Sequence, residues 1–224
     1  MYALAIDSAS RTMTIAAKKD TDTVTVVLDV AMKQSEKILP AIDWVLAQLG
    51  LTAADLDYAA ICKGPGTFTG LRLGFAALKA LQLSHAIPLY AVPTLDVYAS
   101  PFSSIPGAVI SVIDAKKGQF FAAVYRNGTC CLPPADTTPE AVLTQLDAEE
   151  RVTVTGANAG QFADKLQSLA PTLDVRCLKA PPATDALFAL AEDMIARKEP
   201  PLADYDGPAY LRKSEAEIAL KQNG

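Results

Sequence analysis

Histidine is almost missing from this chain: His85 is the only one in 224 residues. Imidazole-based metal sites want at least a pair, and acid–base triads want one beside a nucleophile. The four cysteines, at 62, 130, 131 and 177, make no Cys-x-x-Cys pair, so a zinc site is not expected. Apolar runs are broken by charge or proline well short of membrane-spanning length, and no cleavable secretory leader opens the chain. Both absences point to the cytoplasm and away from a membrane. A basic excess is also lacking. Twenty Lys and Arg against 25 Asp and Glu leave a formal charge of -5. That argues against a freestanding nucleic-acid binder whose affinity rests on neutralising phosphates.

What is present is apolar mass, 50% of the residues. It suffices for one full core or two lobes of about 100 residues each, folded without disulfides or a structural metal. The first thirty residues read as three short strands, Tyr2 to Ile6, Thr12 to Lys18 and Thr23 to Val30. After Met32 the period changes to that of a helix, carried by Ile38, Leu39, Ile42, Val45, Leu46 and Leu49 and stopped at Gly50. Tyr58 to Cys62 predicts a buried strand, Thr69 to about Ser84 a second helix, Pro88 to Val92 a further strand, and Thr94 the cap of a third helix. An α/β lobe with a mixed sheet follows.

Pro101 to Gly107 is punctuated by proline and glycine and marks a handover between lobes. Beyond it, Ala108 to Ile113, a turn at Asp114-Ala115-Lys116-Lys117-Gly118 and Gln119 to Tyr125 echo the opening Ile6-Asp7 arrangement, which suggests duplication. Pro139 to Leu146, Asn158 to Ala170 and Asp185 to Arg197 read as helices around a Val152 to Thr155 strand. The division expected is a first lobe over 1–102, a smaller lobe over 103–207 and a tail over 208–224.

Two features of the first lobe exceed its periodicity. Trp44 falls on the face of its helix away from the apolar stripe, where it either meets a partner or folds against a neighbouring loop. The helix after Thr69 is apolar around most of its circumference, with Gly70, Gly74 and Ala77 on one side where another backbone could approach closely. It lies either mid-core or against a second subunit.

Gly64-Pro65-Gly66-Thr67-Phe68-Thr69-Gly70 joins a strand to a helix amino end, a place for an anion such as phosphate or simply a packing turn. It has neither the Lys-Ser/Thr ending of a P-loop nor dinucleotide spacing. Arg72 in the first helical turn opposes the helix dipole, which calls for an acidic side chain or a phosphate nearby or leaves an ordinary surface arginine. Asp7 and Asp114 each follow a buried-looking strand, able to hold magnesium or to cap a turn. Ser8 and Ser35 have no nearby histidine in sequence, and nothing points to a triad.

Taken together, Ala5-Ile6-Asp7-Ser8-Ala9, Ser35-Glu36-Lys37-Ile38-Leu39-Pro40 and Gly64 to Gly74 resemble the bacterial TsaB (YeaZ) family. So do Ile113 to Phe121 and the closing Pro208 to Glu217, so the resemblance runs through nearly the whole chain. It implies an α/β fold of two lobes in the duplicated actin-like, ribonuclease H-like manner, with mixed sheets flanked by helices. It also implies a degenerate, glycoprotease-like relative of TsaD. That enzyme forms N6-threonylcarbamoyladenosine at adenosine 37 of tRNAs reading codons that begin with A. The implied role is a noncatalytic partner of TsaD, joined by TsaE and touching tRNA indirectly; the same helices could pair with a second copy as a homodimer when that partner is absent. The implied partner face comprises Ser35, Lys37, Ala41, Trp44, Gly70, Arg72, Gly74 and Ala77. Asp7, Ser8, Gly64, Gly66, Thr67, Asp114 and Lys116 would surround a cleft that binds ATP or ADP weakly or is a relic. No cofactor is required. The family usually carries histidine at Gln34, arginine at Lys116 and glutamate at Gln119, and TsaD's metal-binding histidine pair has no counterpart here, which weakens any catalytic role. A small-molecule kinase of the same fold is the alternative, and a peptidase ranks last.

Overall fold

The computed structural model describes residues 1–30, 33–147 and 151–212. Met32 and the Lys213 to Glu217 part of the closing motif lie outside the described residues. Two five-stranded sheets form the frame. The first contains β1 (Tyr2–Asp7), β2 (Met13–Lys19), β3 (Asp22–Leu28), β4 (Tyr58–Cys62) and β5 (Leu89–Val92) in the order β3-β2-β1-β4-β5. The second contains β6 (Ala108–Lys116), β7 (Gln119–Arg126), β8 (Thr129–Thr137), β9 (Val152–Gly156) and β10 (Val175–Cys177) in the order β10-β9-β6-β7-β8. Read from the other edge, the second order is the first with five added to each number. The pairings agree as well: β1 and β6 are antiparallel to the strand that follows them and parallel to β4 and β9 respectively. The duplication suggested by the Asp7 and Asp114 turns is therefore present strand for strand.

Helices occupy matching slots. In the first lobe α1 (Gln34–Gln48) and α2 (Phe68–His85) cover one face of the sheet, and α4 (Pro139–Leu143) and α5 (Ala159–Leu169) cover the corresponding face of the second. The third helices, α3 (Thr94–Ala99) and α6 (Ala183–Ala196), are exchanged. Helix α3 packs on β6, β7 and β9, while α6 packs on β1, β2, β4 and β5. The two lobes thus share one central core, in which small residues of the first sheet (Ala3, Ala5, Ala16, Ala60) admit Leu187, Phe188 and Ala191 of α6. The alternate positions of β1, Leu4 and Ile6, point the other way onto α1 and α2 with Ile38, Ile42, Val45, Phe75 and Leu78. That two-residue alternation lets one strand serve two cores. Pro40 sits inside α1 on its exposed side, where the carbonyl deprived of a partner faces water.

Several boundaries differ from the sequence expectation. Thr94 does not cap α3; the cap position is Pro93, and the Thr94 hydroxyl accepts the Gly64 N–H at 3.0 Å. Strand β6 runs on through Asp114 to Lys116, with a register shift between those two residues, where a turn is expected. Strands β8 and β10 are additional to the elements read from sequence. No described helix is long and apolar enough to cross a membrane.

Candidate functional site

Asp7 ends β1 and is 4% exposed. Its carboxylate accepts the Ala9 N–H and the Tyr98 hydroxyl, both at 2.9 Å, tying the β1–β2 turn to α3. Burial pushes its pKa above the usual carboxylate value despite those hydrogen bonds. Burial, reinforced by the neighbouring Asp7, also pushes up the Cys62 thiol and the Tyr98 hydroxyl. Asp7 is thus committed to the turn and edges a cavity of about 520 Å³ between the lobes, lined by Arg11 and Thr12 on one side and by Asn158 and Lys179 on the other.

Asp114, at the equivalent place in the second lobe, faces a different setting. Its N–H donates to Asn158 Oδ1 at 3.1 Å, and its carboxylate accepts from the Lys116 N–H at 2.8 Å and pairs with Lys116 Nζ at 2.9 Å. Burial alone would raise its pKa, but the bonds to Lys116 hold it below the usual value. Asp114, Lys116, Gly66 and Thr67 line a second cavity of about 450 Å³ with Phe68 and Phe121. The seven expected cleft residues are therefore divided: these four come together, and Asp7 borders the other cavity.

Ser8 and Gly64 are sealed inside. The glycine row is filled by the chain itself. A side chain at Gly64 would strike the carbonyl oxygen of Ala209, one at Gly66 would lie 2.6 Å from that of Ala9, and one at Gly70 would strike that of Ser8. At Gly74 it would meet the Ser8 hydroxyl, which is fully buried and has no hydrogen-bond partner. Close approach is real, but the approaching groups are the protein's own: the β1–β2 turn at Gly66, Gly70 and Gly74, and the Ala209 carbonyl at Gly64. Gly70, Gly74 and Ala77 are buried on α2, and Ala41 is buried on α1, so these four expected partner-face residues are core positions. Arg72 also departs from expectation. Its guanidinium stacks 3.8 Å from the Phe68 ring centre and Nε donates to the Tyr210 hydroxyl at 3.2 Å, so aromatic faces supply the stabilisation assigned to an acid.

Exposed on the same helices are Ser35, Lys37 and Trp44, together with Leu39 and Leu83, two residues the sequence reading did not single out. Leu39 is 57% and Leu83 77% exposed, against 49% for Trp44. Thr69, Ala76 and Ala80 continue the exposed side of α2, making a small-residue, apolar face.

Residues after α6 form a strap along the other flank of α2. The Leu202 N–H donates to Leu89 O at 2.7 Å, Lys79 Nζ to Ala203 O at 2.5 Å, and the Ala209 N–H to Lys63 O at 2.8 Å. Tyr210 stacks on Phe68 with ring centres 4.7 Å apart. Arg212 then crosses to the second lobe and donates to Ala115 O and Gln119 Oε1, both at 2.6 Å, and to Asp136 at 2.8 Å. One strap lines the 450 Å³ cavity and joins the lobes. Among the described residues, no group of three or more His, Cys, Asp or Glu side chains is placed to hold a metal.

Residues 25–220 match the family model described as TsaD, tRNA N6-adenosine threonylcarbamoyltransferase. The chain belongs to the TsaD/TsaB family. Within that family it is similar to the tRNA threonylcarbamoyladenosine biosynthesis protein TsaB of Escherichia coli (strain K12), 29% identical over 96% of both chains. The match to TsaB of Bacillus subtilis (strain 168) is 31% identical and spans only about half of each chain, 56%. Among solved structures, YeaZ from Pseudomonas aeruginosa superposes with a TM-score of 0.73 at 23% identity, covering 94% of this chain and 99% of that one. A Bacteroides thetaiotaomicron protein with an actin-like ATPase fold gives 0.51 at 11% identity over 84% and 95%. The duplicated two-sheet frame is the actin-like fold. The TsaD/TsaB likeness extends over the exposed helix pair, the glycine segment and the strap alike.

Proposed function

We propose that this chain is a noncatalytic TsaB-type subunit that binds a TsaD-type transferase through the exposed sides of α1 and α2. The complex would form N6-threonylcarbamoyladenosine at position 37 of tRNAs reading codons that begin with A. TsaE joins the larger assembly, tRNA is met indirectly, and the setting is the cytoplasm. The end-to-end alignment with a TsaB protein supports this role. The observation that carries the surface is Trp44, half exposed on α1, with Leu39 also exposed on that helix and Leu83 on the neighbouring α2. Large exposed aromatics at the centre of an apolar face are the usual anchors of a protein interface. A face built this way also accepts a second copy when its partner is absent, so a homodimer of the isolated chain fits the same reading.

The test is to mix the purified chain with the TsaD protein of its own organism and measure mass by light scattering. A heterodimer is expected, and Trp44→Glu should disrupt it. No complex at micromolar concentrations, or a Trp44→Glu variant that binds as the parent does, would overturn the assignment. A kinase reading keeps one point in its favour, the gathering of Gly66, Thr67, Asp114 and Lys116 around one cavity. Calorimetry with magnesium and ATP decides it: strong heat of binding favours that reading, and none retires it.

A further inference from the structure

Adjacent cysteines on a regular strand point to opposite faces of a sheet and cannot act together. Cys130 and Cys131 lie on β8, an edge strand of the second sheet, and both are exposed. The strand is not regular there. Tyr125 of β7 pairs with Cys130 and the preceding Val124 pairs with Leu132, so Cys131 is the extra residue of a bulge. The bulge breaks the alternation at the point where the two thiols follow one another. Each sulfur rests on its own strand, Cys130 Sγ 3.4 Å from Leu132 O and Cys131 Sγ 3.4 Å from Thr129 O, and neither is committed to a disulfide. Burial, then the neighbouring Asp96 and Cys131, push up the Cys130 thiol.

Cys130 also borders a cavity of about 330 Å³ whose wall includes Tyr125 and Asp96. Those two residues join the lobes: the Tyr125 hydroxyl of β7 donates to Asp96 of α3 at 2.5 Å. Neither thiol lines the cavity beside Asp7 or the one bordered by the strap, so the pair is separate from the cleft residues.

We propose that Cys130 and Cys131 form a dithiol site that captures trivalent, thiophilic metalloids, arsenicals above all, and that its occupation loosens the Tyr125–Asp96 contact between the lobes. Soft thiolate pairs select such elements over hard cations. In the capture step an organoarsonous acid meets two thiols. Two As–S bonds form, two As–OH bonds break, and two waters leave carrying the thiol protons. Arsenic stays trivalent, so no oxidant or reductant is required. The second bond is intramolecular, which favours the pair over any single exposed thiol by about a hundredfold or more.

The experiment uses the full chain and phenylarsine oxide, followed by intact-mass spectrometry and by amide exchange. One phenylarsenic group per chain is expected, resistant to excess monothiol and removed by a small dithiol. Cys130→Ser and Cys131→Ser should each abolish the resistant adduct, and Cys177→Ser should retain it, since Cys177 stands alone on β10 at the opposite sheet edge. A resistant adduct that survives in either single variant, or that is lost in Cys177→Ser, would overturn the site. Loading should speed amide exchange in α3. Unchanged exchange there, with the adduct formed, would overturn the link to the lobe contact.

Discussion

The two lobes have one topology and unequal coverings. Helices α1 and α2 run for 15 and 18 residues over the first sheet, whereas α4 and α5 run for 5 and 11 over the second. Both pairs bury their own sheet's outer face, so burial alone does not call for the longer pair. The extra length in the first lobe carries Leu39, Trp44 and Leu83 into solvent, while α4 and α5 expose one large apolar residue among those described, Leu169. A duplicated fold separates the residues needed to close a sheet from those kept for another purpose. On the proposed reading, that purpose is a partner subunit.

The sharpest way to break the comparison is at the two helix starts. Gly70 of α2 is pressed against the Ser8 backbone, but Gly160 of α5 has open space where a side chain would stand. Gly70→Ala forces the β1–β2 turn to shift and should cost about 3 kcal/mol, near the upper end for overpacking. Gly160→Ala should instead stabilise by about 0.5 to 1 kcal/mol through helix propensity. Urea unfolding midpoints read both. Equal losses in the two variants would mean the lobes are packed alike and the glycine row has no special neighbour.

Next in size is the exposed face. Trp44→Glu should weaken the complex with TsaD by about thirtyfold, or about 2 kcal/mol, with an unchanged unfolding midpoint. Leu169→Glu, the matching insult to the second lobe, should leave affinity within error. Titration of labelled partner measures both, and comparable losses from the two would dissolve the asymmetry.

Smaller effects come from the ties between lobes. Tyr125 reaches Asp96 of α3, and on the other side Tyr58 donates to Glu192 of α6 at 2.9 Å while Lys18 pairs with the same carboxylate at 2.5 Å. Removing the Tyr125 hydroxyl leaves Asp96 without that donor, so Tyr125→Phe should cost about 1 kcal/mol. Glu192 keeps Lys18 when Tyr58 is changed, and Tyr58→Phe should cost less. Equal costs would show that Lys18 contributes nothing to the second tie.

Legibility in the sequence followed physical range. Alternation and helical period exposed most of the strands and the long helices, and the repeated strand-turn-strand at Asp7 and Asp114 betrayed the duplication. Strand β8 escaped because Pro133 and Pro134 argue against a strand, yet an edge position tolerates them. Strand β10 is three residues long, too short for any period to register. Leu39 reads as part of the apolar stripe of α1, but about a quarter-turn of offset from the buried residues leaves it in solvent. At Gly70 and Gly74 the close approach was legible and its author was not, since a small-residue side fits the chain's own turn as well as a partner's helix. The strap escaped for a related reason: much of its hold is through backbone carbonyls and N–H groups, which any residue carries.

The smallest expected effects distinguish the two acids near the ends of β1 and β6. Burial raises the Asp7 pKa in the folded chain, so the stability it allows is full below its unfolded value of 3.8 and is lost as pH rises through the folded value. Asp7→Asn removes the buried charge and keeps one oxygen for the Ala9 N–H, with its amide nitrogen donating to the Tyr98 hydroxyl oxygen in place of the second acceptor. The variant should match the parent in acid and exceed it at neutral pH by up to about 1 kcal/mol. Asp114 has the opposite sign. Its bonds to Lys116 hold its pKa below 3.8, so its contribution is present above that value and fades as pH falls through the folded one. Lys116 is largely exposed, which limits the pair to a few tenths of a kcal/mol by ordinary solvent screening. Asp114→Asn should therefore lose slightly at neutral pH and converge with the parent in acid. Thermal unfolding of both variants across pH 3 to 7 gives two difference curves, and curves of the same sign would show that the two turns hold their carboxylates in the same way.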